Sequence, residues 1–311
     1  MGAAMARFHV IDLDGSLPTQ EPLRRRIDAG TATRIDAVDL AGRLRIVASR
    51  RALRCLASRL PPAEGEAGAT VTFYGSGDFH HLTAGFVAAL DEPVTIVHFD
   101  NHPDWVLFPA THNCGAWVNR ALSLRQVRKV VTIGPCSSDL VRPELQFANL
   151  AAVRDGRIAL YPWRHPPSRV WGRYGHTRCY RQEGDHLHWR NLAEESWTDF
   201  LDELVEEIPT RAIWITIDKD VLARGDALTN WDQGALPLGH LLAAVERLAG
   251  THRVAGADVC GDWSEPRFSD PFRAVLARFD HPPPLRPSVD DLAVNARVNA
   301  ALIDLFDRVL S

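Results

Sequence analysis

The sequence lacks the features that mark several large classes of protein. Its 311 residues contain no uninterrupted apolar run long enough to span a bilayer, and no basic patch of the kind that binds nucleic acid. The N-terminus is not followed by a purely apolar segment, because Asp12 and Asp14 interrupt it, so a secretory signal is not expected. We therefore expect a cytoplasmic protein with neither a nucleic-acid nor a membrane partner.

Cysteine is scarce and scattered. The five cysteines lie far apart and form no Cys-x-x-Cys pair. An odd, dispersed set is typical of reduced thiols in a cytosolic protein and argues against a disulfide framework or a structural zinc site. The net charge of −4 is mild, and the composition is that of an ordinary globular protein.

No internal repeat and no low-complexity linker divides the chain. From residue 71 to residue 134 the pattern runs strand, helix, strand, loop, helix, strand, which is typical of βαβ units and a parallel sheet. We expect one α/β domain over residues 1–311. The segment at about 138–195 differs in character, being rich in Arg, Trp, Tyr and His, and we interpret it as an insertion or an edge elaboration.

The most informative stretch is residues 94–104, an apolar β-branched run that ends in Asp100, His102 and Asp104. Residues two apart in an extended segment point to the same side. If the strand continues to residue 104, two carboxylates and one imidazole project together from its tip. Pro103 argues against a helix here. Asp, Asn and Pro also form turns, so a purely structural reading stays open.

A second stretch, Ala212 to Asp220, repeats the arrangement. Asp218 and Asp220 alternate at the end of an apolar strand, while Lys219 points to the other side. Two such carboxylates near a core repel each other, and a cation between them would remove that cost. A third stretch, the glycine-rich turn after Val71 to Tyr74, carries His80 and His81, and the residues alone do not decide which is the ligand.

A competing motif lies near the N-terminus. Asp12-Leu-Asp14-Gly-Ser after a strand resembles the first motif of haloacid-dehalogenase-type phosphatases, in which the first Asp is the nucleophile and the second a general acid. Such a phosphatase would also need a lysine and an acidic pair to hold magnesium, and no convincing set follows. Asp-Gly is in addition a common turn.

Together the three ligand-bearing stretches resemble the arginase/agmatinase (ureohydrolase) superfamily. That family has a Gly-Gly-Asp-His turn, then Asp-Ala-His-x-Asp, then Ser-x-Asp-x-Asp, and this chain has Gly77-Asp-Phe-His80, Asp100-Asn-His102-Pro-Asp104 and Thr216-Ile-Asp218-Lys-Asp220 in the same order. The resemblance covers about residues 70–265. It implies a three-layer α/β/α sandwich with a mostly parallel sheet and a site for two manganese ions at the strand ends, with zinc or iron also compatible.

The resemblance also assigns ligands and a nucleophile. One ion would be held by His80, Asp100, Asp104 and Asp218. The other would be held by His102, Asp100, Asp218 and Asp220, so that Asp100 and Asp218 bridge. A hydroxide shared by the two ions would attack a planar carbon.

The chain departs from the family pattern where the substrate is handled. The register of the family's His-Gly gives Cys114-Gly115, so His112, two residues earlier, is the candidate for proton transfer, with Asp104 as the other candidate catalytic residue. The register of the family's guanidinium-binding glutamate gives Gly261. Nearby carboxylates could contact a cationic substrate instead: Asp232, Asp262 and Glu265.

The leading hypothesis is therefore a binuclear manganese-dependent hydrolase of a C–N bond in a guanidino or related amide small molecule. A second hypothesis is a non-catalytic, metal-binding family member that acts in assembly or regulation, and the phosphatase is a lesser alternative. Since family members commonly form trimers or hexamers, the resemblance also implies a homo-oligomer.

Overall fold

A central parallel sheet carries the functional residues of this protein. The computed structural model describes residues 6–61, 68–109, 111–268, 271, 273–275 and 287–311. The strands in chain order are β1 (Arg7–Asp12), β2 (Ala32–Asp36), β3 (Val47–Ala48), β4 (Thr70–Phe73), β5 (Val94–Phe99), β6 (His112–Asn113), β7 (Val127–Ile133), β8 (Ile158–Tyr161), β9 (Ser168–Arg169), β10 (Tyr180–Glu183), β11 (His186–Trp189), β12 (Ala212–Asp218) and β13 (Arg253–Cys260).

Eight of these strands form the central sheet in the order β2-β1-β4-β13-β12-β5-β7-β8. Every neighbouring pair in it is parallel. All strand C-termini therefore lie along one edge of the sheet, where open α/β folds place their ligand sites. This confirms the predicted α/β class with its parallel sheet.

Helices surround the sheet. They are α1 (Glu21–Asp28), α2 (Ala41–Leu44), α3 (Arg50–Ala57), α4 (Thr83–Val87), α5 (Trp117–Leu122), α6 (Leu150–Arg154), α7 (Trp197–Glu207), α8 (Leu238–Ala249) and α9 (Val289–Val309). Helices α7, α8, α9 and α1 contact one another in succession, and α4 packs on α5. The long helix α9 begins with a capping box, in which Ser288 and Asp291 exchange side-chain and backbone hydrogen bonds.

The two central strands explain why the sheet must be covered on both faces. All six residues of β5 and all seven of β12 are buried. Continuous apolar strands of this kind are stable only between two layers that exclude water. The polar residues at their C-terminal ends are consequently held on a rigid, buried base.

The segment predicted as an insertion contains both ordinary and additional structure. Strand β8 extends the central sheet as its edge strand, whereas β9, β10 and β11 form a separate three-stranded sheet. Strands β10 and β11 form a hairpin, because they pair antiparallel across a short turn. Its turn uses Gly184 at a φ of +59°, which suits glycine. Within the described part of the chain, no helix has the length and apolarity needed to cross a membrane.

Candidate metal centre

An open cleft of about 350 Å³ lies at the C-terminal ends of the central strands. All six of the predicted metal ligands line it: His80, Asp100, His102, Asp104, Asp218 and Asp220. The remaining lining residues are Gly77, Cys114, Gly115, Asp139 and Trp231. Three stretches that are far apart in the sequence therefore meet at one place.

The convergence of residues 100–104 has a different geometric cause from the predicted one. The strand ends at Phe99, and Asp104 has a φ of +48°. The stretch thus turns over the sheet edge and does not continue as an extended strand, so the alternation argument for Asp104 is wrong. The turn brings its carboxylate toward the cleft nonetheless, and Trp117 Nε1 donates a hydrogen bond of 2.6 Å to Asp104 Oδ2.

A buried hydrogen-bond network orients His80. Asp258 accepts hydrogen bonds from Tyr74, Thr83, Trp214 and Thr216, the last at 2.7 Å. Because the single hydroxyl proton of Thr216 goes to Asp258, its oxygen must accept the hydrogen bond from His80 Nε2, which lies 2.8 Å away.

This network fixes the tautomer of His80. With one proton on Nε2, Nδ1 is the nitrogen whose lone pair a metal ion could take. Burial acts to lower the pKa of His80, but Asp100 and Asp104 outweigh it and raise that pKa well above its usual value, so a metal ion at Nδ1 would displace a proton. That nitrogen lies 2.9 Å from Asp100 Oδ2 and 3.4 Å from Asp104 Oδ2, is fully buried, and forms no hydrogen bond with the described residues. A buried nitrogen with a lone pair among carboxylate oxygens is what a metal ion would require of an imidazole ligand.

His81 differs from its neighbour. It is buried, but it is not among the described residues that line the cleft, and neither ring nitrogen has a hydrogen-bond partner within the described ranges. Burial, with His112 and His80 nearby, lowers the pKa of His81 to about 3. Of the two histidines left open by the sequence, the geometry favours His80 as the ligand.

The two oxygens of Asp100 face different imidazoles. Oδ2 lies near His80, as described, while Oδ1 lies 3.5 Å from His102 Nδ1. His98, which comes two residues before Asp100, approaches Oδ2 at 2.8 Å through Nε2 and is held by Thr132 at 3.0 Å through Nδ1. Burial lowers the pKa of His98 to about 4, so it is a neutral donor to Asp100.

His102 is oriented in the same manner as His80. Its Nε2 lies 2.7 Å from Asp232 Oδ1, and its Nδ1 lies 3.0 Å from Asp220 Oδ2. A carboxylate on the far nitrogen of a ligand histidine is a common outer partner in metal sites. Asn101 donates to both the backbone and the side chain of Asp232, which holds that carboxylate in place.

Two glycines make room for Asp218. A Cβ atom at Gly77 would lie 2.3 Å from Asp218 Oδ2, and one at Gly261 would lie 2.3 Å from Asp218 Oδ1. Gly261 also has a φ of +88°, where other residues are strained. Neither position can carry a side chain in this structure, so the carboxylate of Asp218 stands where those side chains would be.

The carboxylates of the cleft strongly perturb one another. Burial and the charge of Asp100 raise the pKa of Asp104 to about 7 and that of Asp218 to about 6. Burial and the charge of Asp218 raise the pKa of Asp220 well above its usual value. Burial also acts to raise the pKa of Asp100, but the neighbouring imidazoles of His102, His80 and His98 outweigh it and hold that pKa well below its usual value.

The donor set fits divalent metal ions. Four buried carboxylates and two imidazoles with oriented rings provide ligands of the type that manganese, iron and zinc accept. Positive charge among them would offset the mutual repulsion that the raised pKa values report. Three groups of candidate ligands occur among the described residues, and within each group the ligand atoms lie within 4.8 Å of one another. The groups are His80, His98, Asp100 and Asp104; His80, Asp218 and Cys260; and Asp100, His102 and Asp220.

The residues proposed for catalysis and substrate binding are distributed unevenly. His112 lies in β6, paired with β3, and is not among the described residues that line the cleft. The carboxylate of Asp262 is buried and forms an ion pair of 2.6 Å with Lys219. The side chain of Glu265 is 76% exposed. Asp232 borders the site through His102.

Several residues that line or support the cleft were not singled out from the sequence. Asp139, after β7, lines the cleft, and burial raises its pKa. Asp258, Thr216, His98 and Thr132 form one polar row across four neighbouring strands, in register with one another. A signal for this row was present, because His98 and Thr216 precede the cleft residues Asp100 and Asp218 by two positions and so share their face of the sheet.

The phosphatase motif has other partners. Asp12 binds Arg34 at 2.6 Å and accepts the backbone N–H of Gly15. Asp14 accepts the backbone N–H groups of Ser16 and Ser76. These bonds close a loop beside the turn that carries His80 and indicate a supporting role for both carboxylates.

Comparisons with known proteins support the fold described above. No family model matches the chain. An uncharacterized protein of Thermotoga maritima is 27% identical over 192 residues, a match that covers 62% of this chain and 58% of that protein. The chain therefore spans less than two thirds of that relative.

Solved structures resemble the whole chain at low identity. Formimidoylglutamase from Bacillus subtilis matches with a TM-score of 0.61 at 13% identity, over 98% of this chain and 87% of that one. Arginase from Bacillus cereus matches with a TM-score of 0.58 at 14% identity, over 96% of this chain and 98% of that one. Agmatine ureohydrolase of Thermoplasma volcanium matches with a TM-score of 0.57 at 14% identity, over 99% of this chain and 91% of that one. These likenesses confirm the predicted resemblance in the fold, and the low identities mark this chain as divergent.

Proposed function

We propose that this chain is a metal-dependent hydrolase of a C–N bond in a guanidino or amide small molecule. Its fold is that of arginase and agmatine ureohydrolase, and its proposed cofactor is two manganese ions per chain. The observation that carries the proposal is the meeting of His80, His102 and four carboxylates in one cleft, with the Nδ1 atoms of both rings turned toward the carboxylates. The named neighbours, which act on guanidino or formimidoyl compounds according to their names, support the reaction class.

The protein's own contribution begins with holding two ions close together. Asp100 presents one oxygen to each imidazole, so it is one proposed bridging ligand. Asp218, whose carboxylate is held between Gly77 and Gly261, is the other proposed bridging ligand. Two divalent ions at such a site would supply an activated water and polarise the substrate carbon. His98 and Thr216 keep the ligands oriented, so little reorganisation accompanies binding.

Asp104 is the proposed proton carrier for the departing amine. It lines the cleft, and Trp117 Nε1 donates a hydrogen bond to its Oδ2, which fixes the orientation of the carboxylate. His112 was the other candidate. It lies on β6 and is not among the described residues that line the cleft, so we do not assign it the proton transfer.

A cationic end of the substrate would lie against Asp139 and Asp232. Asp139 belongs to the cleft wall, and Asp232 borders His102 beside the ring of Trp231. The register of the family's guanidinium-binding glutamate is Gly261, which admits no side chain here. The carboxylate that recognises a guanidinium, if the substrate has one, must therefore come from a different wall, and amides are an equal candidate class.

Turnover assays test this proposal. The manganese-loaded protein would be offered a panel of guanidines and a panel of acylated amines, with product urea or free amine measured. We expect turnover of members of one panel and its loss in Asp100→Ala. Absence of turnover of both panels by a protein that holds two ions per chain would contradict the proposal.

A non-catalytic role in assembly is a second candidate with an observation in its favour. Large apolar side chains that are half exposed or more lie together beside the loop that follows Asp104: Leu107, Phe108, Leu145, Phe147 and Trp171. We propose that this surface supports a homo-oligomer. A fully metallated oligomer that turns over neither panel would favour assembly over catalysis, and a monomer would remove the support for it.

A further inference from the structure

Cys260 stands directly beside the candidate metal centre. It is the last residue of β13, is fully buried, and is paired in register with Asp218 of β12. Neighbouring in-register residues of parallel strands present their side chains to the same face. Cys260 Sγ accordingly lies 3.4 Å from Asp218 Oδ2.

The thiol belongs to a group of three potential ligands. Ligand atoms of His80, Asp218 and Cys260 all lie within 4.8 Å of one another. For one zinc ion with bonds of about 2.3 Å to sulfur and about 2.0–2.2 Å to nitrogen and oxygen, tetrahedral geometry separates the ligand atoms by roughly 3.4–3.6 Å. The separations of 3.4 Å from sulfur to Asp218 Oδ2 and 3.7 Å from that oxygen to His80 Nδ1 are close to these values.

An independent observation points to a ligand at this position. His80 Nδ1 is a fully buried nitrogen with no hydrogen bond to the described residues, although three carboxylate oxygens lie within 3.7 Å of it. The network through Thr216 holds its proton on the far nitrogen. The imidazole therefore offers a lone pair to the same space that the thiol borders.

We propose that Cys260 is a sulfur ligand of the ion on the His80 side of the cleft. On binding, the thiol proton leaves to solvent and a sulfur lone pair forms the bond to the metal. The inference rests on the proposed function, because it needs a metal centre to be present. It goes further in predicting that the two halves of that centre differ in chemistry.

The consequence is a difference in metal preference between the two sides. Sulfur donors favour zinc, iron and cobalt over manganese, whereas carboxylate oxygens suit manganese. The His80 side, with one sulfur, would prefer a softer ion. The His102 side, with Asp100, Asp218 and Asp220, keeps an oxygen-rich set suited to manganese.

A thiol that lines the cleft provides a control. Cys114 belongs to the cleft lining, but it packs with Ile46 in a separate cluster and belongs to none of the ligand groups among the described residues. Cys179 is remote, since its sulfur accepts the backbone N–H of Leu160 in the edge strand. Cys114→Ser changes a thiol of the cleft lining and Cys260→Ser changes the thiol beside Asp218, so the two variants have different expected results.

The test is the absorption spectrum of the protein reconstituted with Co²⁺, with the cobalt content per chain measured in the same samples. We expect a near-ultraviolet sulfur-to-cobalt charge-transfer band in the wild type and in Cys114→Ser. We expect its loss in Cys260→Ser, together with a fall in zinc affinity of more than about tenfold. Manganese affinity should fall less.

Failure of the inference and failure of the proposed function look different. Two cobalt ions per chain without a sulfur band, or a band that disappears in Cys114→Ser and persists in Cys260→Ser, would overturn the role of Cys260. A wild type that binds no metal would instead overturn the proposed function. Should Cys260→Ser not fold, X-ray absorption of the zinc-loaded wild type decides, since a ligated sulfur adds a shell at about 2.3 Å whose absence refutes the proposal.

Discussion

The hydroxyl of Thr216 offers a direct test of how the protein prepares His80 for metal binding. It lies between His80 Nε2 at 2.8 Å and Asp258 Oδ1 at 2.7 Å. Thr216→Val keeps the shape of the side chain and removes this connection, together with a longer contact of 3.3 Å to Thr83 Oγ1. The His80 N–H would then lack an acceptor in a fully buried position, which costs about 1–3 kcal/mol.

His80 can avoid that cost by moving its proton to Nδ1, where Asp100 Oδ2 lies 2.9 Å away. The lone pair that the metal needs is then lost. Removing an outer partner of a ligand histidine typically lowers metal affinity 10–100-fold, equivalent to about 1.4–2.7 kcal/mol. We expect a loss of this size in Thr216→Val, confined to one of the two ions.

The assay is calorimetric titration of the metal-free protein with manganese, after circular dichroism has shown that the variant folds. Thr95→Val is the matched control, because it also removes a buried strand hydroxyl, one bonded to Thr210 at 2.8 Å at the opposite end of β5. The control should lose stability and keep wild-type metal affinity. Unchanged affinity in Thr216→Val would refute the assigned tautomer of His80.

Three further outcomes follow from the structure. Gly261→Ala should abolish binding of at least one ion and cost more than about 1–3 kcal/mol in chemical denaturation, whereas Gly239→Ala, with open space around it, should be tolerated. The pKa values are about 7 for Asp104 and about 6 for Asp218 in the folded metal-free protein, against 3.8 in the unfolded chain, so the folded state binds more protons between these values. The unfolding free energy should therefore fall as the pH rises from about 4 to 7. Saturating manganese should remove that fall. Asp12→Asn should retain metal content and turnover, and loss of both would restore the phosphatase hypothesis.

The meeting of the candidate ligands in one cleft could be predicted because their chemistry is local. Asp100 and His102 follow the buried strand β5 within three residues, Asp218 ends β12 and Asp220 follows it, and parallel strands end at one edge. The local backbone conformation at Asp104 could not be predicted from the sequence. Asp104 reaches the cleft through a left-handed residue in a turn, which the strand pattern did not indicate.

The residues that were misplaced depend on contacts between distant segments. Asp262 was a candidate substrate contact, yet it pairs with Lys219, and Gln20 and Asn299 also bond to it. His112 lies away from the cleft because β6 pairs with β3, some 65 residues earlier in the chain. Nothing in the sequence near either residue specifies such partners.

The supporting polar row was predictable in principle. His98, Thr216 and Asp258 are polar residues inside otherwise apolar buried strands, where an unpaired polar group is costly. Each of these side chains therefore required a hydrogen-bond partner. Each also precedes, by two positions, either a cleft residue or Cys260, which indicated that the partner lies on that face of the sheet. Polar interruptions of buried strands are thus informative about the outer partners of a metal site.

Metal content per chain in the wild type and in Asp100→Ala tests the central claim most directly. Asp100 presents one oxygen to His80 Nδ1 at 2.9 Å and the other toward His102 Nδ1 at 3.5 Å. A bridging carboxylate of this kind belongs to both ions. We expect two ions per chain in the wild type and the loss of both in the variant. A variant that keeps one ion at wild-type affinity, or a wild type that never binds two, would contradict a shared binuclear centre.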